Sequence, residues 1–301
     1  MGVYTIDEFR RGDFVTPEGK RESAKILRNT YEIAHQKGLI HGAGFYGSAF
    51  DNEPGPSYRK MDLDHAVIIN GITPEITELL QGASGEITGK WRMPIEFNLV
   101  TMEQTEEGFH GFETYYIEDL KSDISEGNYT GENPPFVMHT MPSFREIRHE
   151  VAEIVLREIG CLRRLGRDAF QMRYGPDHAK FIERLVKYPL FLGKEMLFMK
   201  NNRCPYEKGH KMTKSQLVET YLREFCTEID CKPLVDVFRA WTVHQDFFRD
   251  NPPPTDEEGI EEYKAILDSI AECYTGAEKF IRDNLKFAIR EFGKKETKTF
   301  T

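Results

Sequence analysis

The hydrophobic period of the chain changes near residue 142, and this change constrains the fold more than any other feature of the sequence. Before it, short apolar runs of strand length alternate with helical segments. After it, apolar residues recur three and four positions apart, which is the spacing of an amphipathic helix. Residues 119–142 are polar and rich in Gly and Pro, as connections between domains often are. We therefore predict two domains, residues 1–142 and residues 143–301.

The first half predicts an α/β domain, a mixed sheet with flanking helices. A helix begins in TPEGKRES, because Thr16 can cap it and Pro17 fits its first position, and its apolar spacing ends at Gly38. TPEITELLQGA predicts a second helix, capped by Thr73. Three runs are typical of strands, with the second helix between the last two: LIHGAGFYG, LDHAVIING and MPIEFNLVTM.

The second half predicts an α-helical bundle domain. Ser143 and Glu146 form a capping box ahead of an apolar stripe that reaches Ile159. Helical periodicity continues to Phe292, and aromatic residues around Trp241 favour a packed bundle core. Further helices are predicted at 176–188, 190–199, 214–226, 233–248 and 255–292, the last broken near Gly276.

Acidic residues are concentrated in the first half. Residues 1–142 contain 12 Lys and Arg against 23 Asp and Glu, a net charge of −11 (12 − 23), whereas residues 143–301 contain 28 against 27, a net of +1 (28 − 27). This excess argues against a broad nucleic-acid-binding face. It suits a divalent metal ion or a cationic small molecule, although a solvated acidic surface explains it equally well.

Several sequence features point to the cytoplasm. No apolar run approaches the roughly 18 residues of a membrane helix, so we expect no membrane association. The first residues, MGVYTIDEFRRGDF, have no apolar core of a signal peptide. The five cysteines lack C-x-x-C spacing, which indicates reduced thiols without a zinc site.

Three carboxylates occur where the predicted strands would carry polar side chains. Asp62 and Asp64 are one residue apart, so on a strand they point to the same face, where two like charges need solvent or a cation. Glu96 lies between the apolar Ile95 and Phe97 and would face the polar side of its strand. If the strands are adjacent, the three carboxylates converge, and hard oxygen donors of this kind suit Mg²⁺.

A Gly-Ser pair follows the first predicted strand. Small residues at Gly47 and Ser48 let backbone N–H groups and a hydroxyl approach an anion. His65, directly after the acidic pair, is interpreted as a strand residue rather than a metal ligand.

The order G-S, a loop, D-L-D-H-A-V-I-I and then an acidic residue in a later strand resembles the nucleotidyltransferase superfamily of polymerase-beta type. The match covers Tyr46 to Val100, and a following helical domain is similar in layout to the antibiotic nucleotidyltransferases. The resemblance implies that Gly47 and Ser48 bind the nucleotide phosphates. It also implies that Asp62, Asp64 and Glu96 are the catalytic, metal-binding carboxylates and hold two Mg²⁺ ions.

One part of the sequence departs from this family pattern. Members often carry a basic residue soon after G-S on a short helix, whereas residues 49–56 here are acidic and interrupted by Pro. Arg59 and Lys60 come only just before the acidic pair. They either supply the missing positive charge to the triphosphate or are simply solvated.

The resemblance implies an enzyme that transfers an NMP from an NTP co-substrate to an acceptor hydroxyl. The acidic first half favours a small, cationic acceptor such as an aminoglycoside-like antibiotic over RNA. Two alternatives remain open. One is an RNA- or protein-modifying, toxin-like nucleotidyltransferase. The other is a non-catalytic nucleotide-binding or interaction protein whose helical half pairs with a partner or with itself as a homodimer.

Overall fold

The computed structural model of the protein describes residues 2–45, 57–60, 65–93, 95, 97–107, 117, 129–132, 148–171, 178–201 and 212–293. The chain divides into two compact units. The first comprises Met1–Thr140 and Asp246–Asp256, and the second comprises Met141–Gln245 and Glu257–Thr301. The sequence-based boundary at residue 142 lies outside the described residues and stays a prediction. Residues 246–256, which the sequence assigned to the helical half, belong to the first unit.

The first unit contains a mixed sheet with the strand order β3-β2-β1-β4. Strand β1 is antiparallel to β2 and to β4, while β2 is parallel to β3 through a crossover that contains α3. The predicted mixed sheet with helices is therefore confirmed in the described residues. The elements are α1 (Ile6–Arg10), α2 (Pro17–Gln36), β1 (Ile40–Phe45), β2 (His65–Ile69), α3 (Pro74–Trp91), β3 (Asn98–Thr101), α4 (Met102–Glu107) and β4 (Tyr129–Gly131).

Both predicted helix starts of the first unit are confirmed. The Thr16 hydroxyl accepts a hydrogen bond from the Gly19 N–H at the start of α2, and Thr73 caps α3 in the same way. Helix α3 extends to Trp91, beyond the predicted end near Ala83. Its final turns bury Ile87 completely, and this burial offsets the helix-weakening glycines at 82, 85 and 89.

A single apolar core joins the sheet to α2 and α3. Alternate residues of β1 and β2 point into it, as expected for strands with one face against helices. Ile95 and Phe97, just before β3, are partly buried against the same core. The central members are Leu27, Tyr31 and Ala34 from α2, Ile76, Leu80 and Ile87 from α3, and Ala43, Phe45, Val67 and Ile69 from the sheet.

Strand β4 lies inside the stretch that the sequence predicted to be a connection. Three residues are too few to produce a strand pattern in the sequence. The pairing of β4 with β1 depends on Gly42, because a Cβ at this position would come 2.3 Å from the Tyr129 hydroxyl oxygen. Gly131 closes the strand at φ +100°, a conformation that favours glycine.

The described residues of the second unit are helical, as predicted for this half. Helix α7 begins with a capping box between Thr213 and Gln216, and the last predicted helix is broken at Cys273, three residues before Gly276. The predicted cap at Ser143 lies outside the described residues. The helices are α5 (His149–Gln171), α6 (His178–Asn201), α7 (Lys214–Phe225), α8 (Lys232–Phe247), α9 (Glu257–Glu272) and α10 (Tyr274–Glu291), and α8 ends within the segment assigned to the first unit.

Helix α6 runs without a break through Pro189, where the sequence predicted two helices. A proline inside a helix removes one backbone hydrogen bond and costs about 3 kcal/mol. The buried surface of Leu185, Val186, Leu190 and Leu192 around it is large enough to offset that cost. The prediction of a helix end before Pro189 was therefore wrong.

Helices α5 and α6 also share buried charged residues. Asp168 of α5 is fully buried and accepts hydrogen bonds from Arg167 and from Arg184 of α6. At the other end of the pair, Arg157 contacts the buried carboxylates of Glu158 and Glu195. Within the described part of the chain, no helix has the length and hydropathy to span a membrane.

Candidate active site

Most of the residues that the sequence predicted for the site lie outside the described residues. These are Gly47, Ser48, Asp62, Asp64 and Glu96. The structure does describe Arg59 and Lys60, together with the strand residues that adjoin each motif. Elsewhere among the described residues, no group of three or more His, Cys, Asp or Glu side chains is arranged to hold a metal ion.

Three aromatic rings meet where the predicted motifs adjoin the sheet. Phe45 ends β1 and is paired with His65, which begins β2. The centroid of the His65 ring lies 6.1 Å from that of Phe45 and 4.9 Å from that of Phe97. We call these three residues the aromatic corner. It brings together the end of β1, the start of β2 and the approach to β3.

His65 is fully buried in this corner, with Tyr31 of α2 also 6.1 Å away between ring centroids. Its ring lies on the side of β2 that faces the apolar core, together with Val67 and Ile69. The interpretation of His65 as a strand residue is confirmed, and its imidazole serves as an aromatic packing group.

Lys60 is held by an acidic residue of the first helix. Its ammonium donates to both carboxylate oxygens of Glu8, at 2.9 and 2.8 Å, and lies 5.4 Å from the centre of the Tyr4 ring. Burial alone would raise the pKa of Glu8. Hydrogen bonds from Lys60 and from the Thr5 backbone outweigh burial and lower it below its ordinary value of 4.5. The charge of Lys60 is thus balanced within the protein.

Arg59 lies close to a second cation that sequence reasoning missed. The ammonium of Lys20, on α2, donates a 2.7 Å hydrogen bond to the carbonyl oxygen of Ser57. Burial and, to a smaller extent, the positive charge of Arg59 together lower the pKa of Lys20 from 10.5 to about 8. The sequence around Lys20, GKRE in the first turns of a helix, is typical of an exposed surface and gave no sign of this contact.

The segment 57–60 is fixed to the rest of the first unit through its backbone. The N–H of Tyr58 donates to the Phe248 carbonyl at 2.8 Å, and the Tyr4 hydroxyl donates to the Tyr58 carbonyl at 2.8 Å. The Tyr4 oxygen also accepts from the Val15 N–H. The chain that leads into the predicted Asp62–Asp64 pair therefore starts from a fixed position.

The Phe248 end of this connection is itself anchored by aromatic packing. Ring centroids of Phe248 lie 5.3 Å from Tyr4 and 5.9 Å from Phe14, and Phe247 stacks on Phe9 at 6.0 Å. The sequence placed both phenylalanines in the core of the helical half. They pack instead within the first unit, beside the segment that precedes the acidic pair.

The described residues thus provide buried rings where β1, β2 and the approach to β3 meet, and, around the segment 57–60, Lys20 and a balanced Lys60–Glu8 pair. Such a setting can position carboxylates from adjacent strands and can bind an anion beside them. Comparison of the chain with protein-family models, with curated proteins and with solved structures found no match.

Proposed function

We propose that the protein is a Mg²⁺-dependent nucleotidyltransferase, which transfers an NMP from an NTP to an acceptor hydroxyl and releases pyrophosphate. The observation that carries the proposal is the aromatic corner. In the sequence, Phe45 stands two residues before Gly47, His65 directly follows Asp64, and Phe97 directly follows Glu96. The meeting of these three flanking residues supports one common site for the three motifs.

Chain geometry adds to this support. Consecutive Cα atoms are about 3.8 Å apart, so one peptide unit joins Asp64 to His65 and another joins Glu96 to Phe97. The two rings are in contact, and the strands that follow them are parallel neighbours, with Ala66 opposite Asn98. Ile95 and Phe97 both pack on the core, which favours the opposite side for Glu96.

The proposed donor set fits the metal. Three carboxylates are hard oxygen ligands, which Mg²⁺ prefers, and bound Mg²⁺ supplies positive charge to the transferring phosphoryl group. Asp62 and Asp64 would bridge the ion positions, while Glu96 would hold the ion beside the acceptor or take the proton of its hydroxyl. Gly47 and Ser48 would donate hydrogen bonds to the nucleotide phosphates.

The acceptor in this proposal is a small cationic molecule of the aminoglycoside kind. The net charge of −11 on residues 1–142 attracts a cation and repels the phosphates of RNA. Transfer of a labelled NMP to a panel of aminoglycosides, with tRNA as the competing acceptor, tests this part of the proposal.

The first test is nucleotide binding by thermal shift. The wild type and the double variant Asp62→Asn/Asp64→Asn are heated with each NTP, with and without Mg²⁺. The control is Glu78→Gln/Glu86→Gln, which removes two exposed carboxylates from α3. We expect a Mg²⁺-dependent rise in Tm for the wild type and the control that the aspartate variant loses, because a ligand stabilises the state that binds it.

A second test addresses Glu96 alone. Glu96→Gln should abolish NMP transfer while the protein stays folded. The proposal is wrong if no NTP shifts the wild type, if the aspartate variant shifts equally, or if Glu96→Gln transfers NMP at the wild-type rate.

A further inference from the structure

The second unit contains a cavity of about 310 Å³. All the described residues that line it belong to this unit. The volume equals that of about ten water molecules at about 30 Å³ each, and it lies at the lower end of the range for small-molecule sites. A ligand of roughly ten non-hydrogen atoms therefore fits the cavity.

Aromatic rings form the apolar wall of this cavity. The ring centroids of Phe225, Phe287 and Phe292 lie 5.6–6.4 Å apart, and their planes are inclined by 71–88°. The Lys200 ammonium lies 5.2 Å from the centre of the Phe225 ring. The guanidinium carbon of Arg290 lies 5.3 Å from the centre of the Phe287 ring. Because the faces of aromatic rings attract cations, this wall favours a positively charged ligand.

Three carboxylates line the same cavity, and they are those of Glu224, Glu228 and Glu291. Lys200 donates to Glu224 at 2.8 Å, and Arg290 contacts Glu291 in a pair that is exposed on both sides. Among the described residues, none forms an ion pair or a hydrogen bond with the exposed carboxylate of Glu228. The charge of Glu228 is therefore unbalanced within this part of the structure, and the exposed Glu291 pair can exchange readily.

The cavity lies at the C-terminal ends of three helices. Lys200 is in the last turn of α6, Phe225 ends α7 and Glu291 ends α10. The last carbonyl groups of a helix lack partners within the helix, and they give this end a partial negative charge. Three such ends around one cavity add to its attraction for a cation.

The carboxylates of the cavity do not converge on one point. Within the described residues, no group of three His, Cys, Asp or Glu side chains could hold a single metal ion. A ligand that neutralises these carboxylates must carry positive charges at separate positions, with an apolar part against the rings. Linear polyamines have this structure, because methylene groups separate their ammonium groups.

We propose that the second unit binds a linear polyamine in this cavity. Its ammonium groups contact Glu228 and Glu291, and its methylene groups pack on Phe287 and Phe292. The inference goes beyond the proposed function and does not depend on it, since it concerns other residues and another ligand.

The test measures binding of spermidine by calorimetry at low ionic strength. The proteins are the wild type, Glu228→Gln/Glu291→Gln, Phe292→Leu and the control Glu261→Gln. Glu261 is on α9, has 71% of its side chain exposed and does not line the cavity. Butylamine, which carries a single ammonium group, and MgCl₂ are titrated into the same proteins.

Hydrogen exchange with mass spectrometry locates the bound spermidine, because the acidic first unit can also attract it. The Ile229 N–H donates to the Phe225 carbonyl and the Phe292 N–H to the Ala288 carbonyl, both at 2.9 Å. These amides lie at the helix ends beside the cavity. Spermidine should slow their exchange in the wild type and not in Glu228→Gln/Glu291→Gln.

We expect Glu228→Gln/Glu291→Gln to weaken spermidine binding about 10-fold, which is the effect of losing two exposed charge contacts. Phe292→Leu should weaken it about 2- to 5-fold, because leucine keeps an apolar side chain but has no ring face. Glu261→Gln should match the wild type, and butylamine should bind more weakly than spermidine. Urea unfolding of each variant without ligand separates a loss of binding from a loss of fold.

Three results would overturn the inference. The first is equal spermidine affinity in the wild type and in Glu228→Gln/Glu291→Gln, or no slowing of exchange beside the cavity. The second is butylamine binding as tightly as spermidine, which would remove the need for separated charges. The third is Mg²⁺ binding that depends on the same two carboxylates and displaces spermidine at equal concentration. NMP transfer is measured separately, so this inference and the proposed function can fail independently.

Discussion

The rings of His65 and Phe97 lie 4.9 Å apart between their centroids, inclined by 41°, where the parallel strands β2 and β3 begin. This distance is typical of a favourable aromatic contact. The contact joins two residues that are 32 positions apart in the sequence (97 − 65). It thereby fixes the spacing between the start of β2 and the residue that precedes β3.

Removal of this contact should affect both stability and metal-dependent binding. We expect Phe97→Ala to lower the free energy of unfolding by about 2–3 kcal/mol, since it deletes a partly buried ring, and to weaken the Mg²⁺-dependent effect of NTP. Leu99→Ala, at a position 46% exposed on β3, is the matched control and should change little. Urea unfolding and thermal shift measure the two effects. An undiminished Mg·NTP shift in Phe97→Ala would show that the contact does not position the site.

The Lys60–Glu8 pair should make stability depend on acid. Because the folded state lowers the pKa of Glu8, the pair stabilises the protein above pH 4.5, and this contribution is lost as the pH falls through the lowered pKa. Glu8→Gln should therefore cost about 1 kcal/mol at pH 7 and progressively less below pH 4.5. Urea unfolding at pH 3 to 7 measures this difference. A difference in the free energy of unfolding between the wild type and Glu8→Gln that does not depend on pH would contradict this assignment.

Lys20 should make stability rise with pH as well, but in the alkaline range. Its pKa is about 8 in the folded protein and 10.5 when unperturbed, so between these values the unfolded chain binds a proton that the folded protein has released. Stability should rise with pH through this window, by an amount on the order of 1–2 kcal/mol. Denaturation at pH 7.5 and 9.5 should show the rise in the wild type and not in Lys20→Met. The same change of stability with pH in the wild type and in Lys20→Met would mean that the folded state does not lower the pKa of Lys20.

The buried Asp168 should be much more sensitive to loss of its charge than an exposed acidic residue of the second unit. Asp168→Asn removes the charge that Arg167 and Arg184 share, which should cost about 3 kcal/mol. The control is Asp283→Asn in the exposed pair with Lys279 on α10, which should leave chemical unfolding unchanged. Similar unfolding midpoints for the two variants would argue that solvent reaches Asp168.

The cysteines between α7 and α8 should differ in reactivity. Cys226 is exposed, whereas burial raises the pKa of Cys231 to about 11. At pH 8 a thiol with this pKa holds a thiolate fraction about 100-fold below that of an ordinary cysteine. Brief treatment with iodoacetamide followed by peptide mass spectrometry should find Cys226 modified first. Equal labelling would indicate that the connection between the helices opens readily.

The features that could be predicted from the sequence are those encoded locally. Thr16-Pro17 and Thr73-Pro74 start helices through contacts within one turn, and apolar runs of strand length predicted β1, β2 and β3. The features that could not be predicted depend on distant partners. Helix α6 passes through Pro189 because of the apolar residues that pack around it, and α3 continues through three glycines because Ile87 reaches the core.

The same distinction applies to the candidate site. The motifs could be identified because their residues are close together in the sequence. The flanking Phe45, His65 and Phe97 meet, as adjacent strands require. Nothing local in the sequence indicated that Lys60 pairs with a residue 52 positions away, or that Lys20 contacts the segment 57–60. Such pairings follow from the folded arrangement of several elements.

The aromatic packing of Phe247 and Phe248 on residues near the start of the chain affects how the protein can be synthesised and dissected. A ribosome must translate past residue 248 before these rings are available to Tyr4, Phe9 and Phe14. Until then, the nascent first unit exposes an apolar surface that a chaperone could bind. A fragment that ends near residue 142 would keep this apolar surface exposed. Residues 246–256 would have to be joined to the fragment through a short linker to cover it.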